Sequence, residues 1–143
     1  MQAHDWLVWA LLSAVFAALT AIFAKVGLAG IDADFATLVR TVVIVLVLAV
    51  FVVAAGKWHD PRTLNARAVW FLVLSGLATG ASWVCYFRAL KLGDAAKVAP
   101  VDKLSVILVA IFAAVFLHER PTPAGWLGIG LVGAGVVVIS LNR

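Results

Sequence analysis

Three ionisable residues, Arg40, Asp102 and Lys103, fall inside long apolar stretches, and Thr79, Trp83 and Tyr86 recur with Leu90 at three- and four-residue spacing. On a helix that spacing sets a hydroxyl, an indole and a phenol on one side. An ion at membrane depth costs at least about 2.5–3.5 kcal/mol, so it usually faces a cavity or a partner. The chemistry these groups offer is recognition of a small polar solute by charge and hydrogen bonding, which makes all six candidate substrate-binding residues. Two readings stand for the aromatic face: a cavity wall, or packing in which the buried N–H and O–H find partners. Asp102 and Lys103 are adjacent and point about 100° apart around a helix, so they need not pair with each other.

Bond-making chemistry finds no support. Hydrolysis needs a nucleophile beside a base, or converging metal ligands. His4, His59 and His118 lie at segment ends or in loops, and Thr20, Ser82 and Ser105 have no visible base. Cys85 is the single cysteine, which leaves neither an intrachain disulfide nor the paired spacing of a zinc or redox site. Gly128-Ile-Gly130-Leu-Val-Gly133 spells G-x-G-x-x-G, but no strand precedes it and no acid follows about 20 residues later. The expectation is a protein that is not an enzyme, with no catalytic residue, metal or cofactor. Its basic residues are scattered singly rather than gathered in a patch, which argues against a nucleic-acid partner.

Composition indicates the elements that must position these residues. Of 143 residues, 65% are apolar and 13% charged, against roughly a quarter charged in a soluble domain. Such a surface faces lipid. A helix crosses the bilayer with about 20 apolar residues, and five stretches qualify, at 6–26, 35–56, 68–90, 97–117 and 123–141. They predict an all-α integral membrane protein, a bundle of five transmembrane helices forming a single domain over residues 1–143. Trp6, Trp9, Trp58, Trp70 and Trp126 lie near the ends of these runs, where indoles settle at the headgroups, whereas Trp83 falls within one. Nothing basic precedes the first run, so no cleaved leader is expected. Asp32 or Asp34 can cap the second helix. Lys25, Arg88 and Lys97 sit at span ends, where their stems can carry the charge to the interface.

Small residues let helix backbones approach in lipid. Gly76 and Gly80 give the third span a G-x-x-x-G spacing, and Gly128, Gly130, Gly133 and Gly135 make the fifth small-faced. These six are candidate helix-packing positions.

Lys25-Val-Gly27-Leu followed by Leu38-Val-Arg40 resembles the start of an EamA domain of the drug/metabolite transporter superfamily. Tyr86-Phe-Arg-Ala89-Leu90, Ala99-Pro100-Val101, Phe116-Leu-His-Glu119-Arg120-Pro121-Thr122 and the run from Gly128 to Gly133-Ala-Gly135-Val resemble that domain from its third helix to its end. The resemblance covers essentially the whole chain. It implies a carrier whose cavity is lined mainly by the first four helices of each repeat, and it names no substrate. Most members carry two such repeats, inverted relative to each other, whereas this chain carries a single EamA-like repeat. The first span has no acid, unlike that of the small multidrug resistance relatives, which argues against proton-coupled export of cationic drugs.

Because bases outnumber acids in the spans, the expected function is transport of a small anionic or zwitterionic metabolite. The expected location is the cytoplasmic membrane of a prokaryote, the expected mechanism alternating access. A flippase subunit for a lipid-linked carrier and a non-transporting membrane subunit are the alternatives. The expected partners are the bilayer, the small-molecule substrate and a second copy of the chain, in a homodimer whose copies can insert in opposite orientations. Lys57, Arg62, Arg67 and Arg120 on one side balance Arg88, Lys91, Lys97 and Arg143 on the other, with Lys25 borderline. The positive-inside bias then permits either insertion.

Overall fold

In lipid every backbone N–H and C=O must be satisfied within the segment that carries it, which drives apolar runs into helices. A computed structural model describes residues 5–60 and 63–141, so His4, Arg62 and Arg143 lie outside the described residues. The elements are α1 (Asp5–Gly27), α2 (Ala33–Ala54), α3 (Ala66–Leu92), α4 (Ala95–Asp102), α5 (Ser105–Phe116) and α6 (Pro123–Leu141). Five stretches are long and apolar enough to cross a membrane, α4 and α5 together forming the one at Ala95–Phe116. Large apolar side chains such as Phe16, Leu46, Leu72 and Leu131 are exposed along these stretches, and few residues are buried. That distribution suits a chain solvated by lipid. The fold is all-α, with five apolar spans and no sheet among the described residues.

Local chemistry sets the boundaries. Asp32 caps α2, its Oδ1 accepting from the backbone N–H groups of Asp34 and Phe35 at 3.0 and 3.1 Å. The helix therefore begins at Ala33, earlier than position 35, and the carboxylate of Asp34 is left for another partner. At the far end Gly56, with φ +63°, takes the left-handed conformation that stops a helix. The N–H groups of Gly56 and Lys57 turn back to the carbonyls of Val53 and Val52, each at 3.0 Å.

The expected span at 97–117 is present as one apolar stretch, Ala95–Phe116, but its helix is interrupted at Lys103 and Leu104, shortly after Pro100. Proline has no N–H to donate to the Ala96 carbonyl four residues back, which weakens the last turn of α4. Beyond it the chain tightens, with Lys103 N–H donating to Pro100 O at 2.9 Å and Leu104 N–H to Val101 O at 3.0 Å. Both bonds reach back three residues, the spacing of a 3₁₀ turn. Asp102 and Lys103 sit at this discontinuity.

Past α5, His118 has φ +56° and is the non-glycine residue in the left-handed region among those described. That conformation costs a side-chain-bearing residue about 1–2 kcal/mol, which glycine avoids. Glycine loses more backbone entropy on folding, so the net gain from His118→Gly is expected to be up to about 1 kcal/mol. Thermal unfolding in detergent should show a higher midpoint for His118→Gly and a lower one for His118→Val. The reverse order would mean that His118 is held by contacts that outweigh its backbone.

The chain divides into two units, Phe23–Leu92 and the remainder. In the first, α2 and α3 run antiparallel, because the partners of residues 31, 34 and 40 are 91, 88 and 83. Leu28, Ala33, Thr37, Phe87 and Leu90 form its buried core. In the second, α6 packs against α4 and α5. Gly133 is buried there, and a Cβ built on it would stand 2.6 Å from Ile107 Cδ1. The other five candidate packing glycines behave differently: a Cβ on Gly76, Gly80, Gly128, Gly130 or Gly135 meets nothing within 4 Å. Among the described residues nothing therefore packs against the G-x-x-x-G face of α3, because spacing makes a face small without saying what lies against it.

Candidate solute-binding site

Arg40, the one cation well inside α2, lies over the α3 aromatic face. Its guanidinium carbon is 3.3 Å from the Trp83 ring centroid and 5.5 Å from that of Phe87. Trp83 is held edge-on by Tyr86, with centroids 5.7 Å apart and planes at 83°, and by Phe87 at 5.9 Å. Residues 83, 86, 87 and 90 share one side of the helix by their three- and four-residue spacing. Phe87 and Leu90 are buried, at 2% and 0% exposure, and back the platform from below. A cation over an aromatic face gains about 0.5–2 kcal/mol, more as water is excluded. Arg40 makes no hydrogen bond or ion pair with any described residue, so its five N–H donors remain unspent.

The remaining candidates fall elsewhere. Thr79 is exposed, and its hydroxyl donates to Ser75 O of its own helix at 2.8 Å. That back-bonding is a common fate of threonine in helices. Asp102 and Lys103 belong to the other unit, where the ammonium meets the Asp102 carboxylate at 3.2 Å. The flexible lysine stem at the end of α4 spans the angular separation, so the two residues, which the helix does not oblige to pair, do so.

A clasp at the end of α3 went unforeseen. Arg88 forms a two-pronged pair with Asp34, Nε to Oδ1 at 2.8 Å and Nη2 to Oδ2 at 2.6 Å. Lys91 donates to Ile31 O, and Lys25 donates to Leu90 O at 2.7 Å. Lys25 and Arg88 are therefore not simply snorkelling cations. They tie α3 to the end of α1 and the start of α2. The signal available in the sequence was the second acid, Asp34, in the first turn of a helix that Asp32 already caps.

Among the described residues no cluster of three or more His, Cys, Asp or Glu could hold a metal. The model of the EamA-like transporter family matches residues 4–141. An uncharacterized transporter in the cobO 3' region of a Sinorhizobium species is 58% identical over 140 residues, covering 98% of this chain and 99% of the relative. No solved structure matches. The matches describe transporters rather than enzymes, and five apolar spans fit a multispan membrane carrier with a bacterial relative. The chain belongs to the EamA-like transporter family.

Proposed function

We propose that this transporter carries a small anionic or zwitterionic metabolite across the cytoplasmic membrane of a prokaryote by alternating access, with two copies as the working unit. The observation that carries the reading is Arg40, a half-buried cation inside a span with no carboxylate partner among the described residues. A charge at such depth is retained where a solute or cavity compensates it, and an anionic group on the substrate supplies that compensation. The aromatic face of Trp83 and Tyr86 lines the same position. The Pro100 break adds support, because interrupted helices recur at transporter substrate sites. Asp102 and Lys103 remain candidate substrate contacts there.

The second copy is favoured by the open glycine faces. Gly76, Gly80, Gly128, Gly130 and Gly135 have room for a neighbouring helix, and small faces are where membrane helices approach closely. An upside-down copy restores the inverted pair on which alternating access is built, and the balanced loop charge permits it.

Purified protein in proteoliposomes is expected to give saturable counterflow of a preloaded anionic or zwitterionic metabolite. Anionic competitors should inhibit it and cationic ones should not. Saturable flux of cations alone would sink the anion reading. A topology reporter at the C-terminus is expected on both sides of the native membrane, and signal from one side only would remove the antiparallel pair.

A further inference from the structure

We infer that Arg40 recognises an oxyanion with two coplanar acceptor oxygens, a carboxylate or phosphate group on the carried solute, and that Trp83 is the positioning residue that orients its guanidinium. The inference rests on the transport reading above and narrows the class of substrate.

The geometry distinguishes a fork from a bare charge. At 3.3 Å from the Trp83 centroid, the guanidinium carbon is at stacking distance, so the ring occupies one face of the planar group. The N–H donors of arginine lie in that plane and point outward from its edge in a rigid fork, which matches carboxylate and phosphate two bonds at a time. None of these donors is used by another described residue. Trp83 is itself fixed by Tyr86 and by the buried ring of Phe87, so the platform is preorganised. A lysine at position 40 would bring the same charge without the fork.

Depth favours a solute over a lipid headgroup. Trp83 lies nine residues before the end of α3 at Leu92, about 14 Å at 1.5 Å per residue. A cation reaching for the interface would extend away from that level, whereas Arg40 is folded onto it. A cationic solute is disfavoured because Arg40 covers the Trp83 face and repels a second positive charge.

The test uses full-length protein labelled with ¹⁵N-arginine in detergent micelles, with the Arg40 Nε–H signal assigned by its loss in Arg40→Lys. Sodium acetate and inorganic phosphate are expected to shift that signal saturably, and sodium chloride at matched ionic strength is expected to leave it in place. Trp83→Ala should weaken the acetate and phosphate response about tenfold, within the range that cation–π stacking supports, while Trp83→Phe retains most of it. An equal response to chloride would show attraction of charge without reading of shape and overturn the inference. A response to added phosphatidylglycerol with none to acetate or phosphate would assign the fork to lipid and overturn it as well. In proteoliposomes, Arg40→Lys is expected to lose anion flux. Wild-type KM in that variant would overturn the fork and leave the transport reading standing. Absence of anion flux in the wild type would instead remove the transport reading, while the titration still decides the oxyanion site.

Discussion

Arg40→Ala is expected to reduce kcat/KM for anion flux by about 10- to 100-fold, the effect of losing a charged hydrogen-bonding group worth about 1.5–3 kcal/mol. The change removes no hydrogen bond or ion pair from the described chain. The structural loss is confined to the stacking on Trp83 and Phe87, about 0.5–2 kcal/mol. Flux should therefore collapse in protein that still elutes as the wild type does and unfolds within a few degrees of it. If flux in properly folded Arg40→Ala protein matches the wild type, the solute does not meet this side chain, and the cavity must be sought at Asp102 and Lys103.

A second large effect is expected in the other unit. The Cβ site of Gly133 is 2.6 Å from Ile107 Cδ1 and 3.8 Å from its Cγ1. Cδ1 is the far end of a flexible side chain, so Gly133→Ala should be accommodated by a small rotation of Ile107. Leucine brings three further carbons and forces α5 and α6 apart, an overpacking expected to cost about 1–3 kcal/mol. Gly128→Leu is the matched control, since a Cβ there meets none of the described residues within 4 Å. Unfolding midpoints of monomer in detergent should fall for Gly133→Leu and stay near the wild type for Gly128→Leu. Adding Ile107→Ala should recover part of the Gly133→Leu loss, the signature of direct coupling between neighbours. Equal midpoints for the two leucine variants would mean that α6 does not pack on α5 through Gly133.

Much of the architecture was legible because the bilayer imposes its thickness on the sequence. Runs of about 20 apolar residues have one stable outcome in lipid, and residue type narrowed the cap of α2 to Asp32 or Asp34, of which Asp32 is the one. The face carrying Trp83 and Tyr86 was legible too, since both residues lie on one helix and their spacing alone sets their side. What spacing within a helix does not encode is register between helices. Asp34 and Arg88 are 54 positions apart, and their meeting depends on how α2 and α3 slide against each other. Arg88 alone reads as a cation at a span end. The same limit hid Phe87, whose ring matters because Arg40 reaches it from another element. It also left the glycines ambiguous, since only the position of Ile107 separates Gly133 from Gly128. Pro100 was visible, but the apolar run on either side masked the interruption at Lys103 and Leu104 that follows it.

The clasp at the end of α3 has a consequence for how this protein is made. Synthesis runs from the N-terminus, so Lys25, Asp34 and Arg40 are delivered to the membrane before Trp83, Arg88 and the Leu90 carbonyl exist. For that interval the Asp34 carboxylate lacks the Arg88 fork that later holds it, the Lys25 ammonium lacks the Leu90 carbonyl, and Arg40 lacks the ring on which it stacks. The arrival of α3 supplies all of these partners from one stretch of eight residues, 83–90, on a single helix. These contacts between α3 and the two helices made before it can form only after α3 has been synthesised, so they close this half of the chain last.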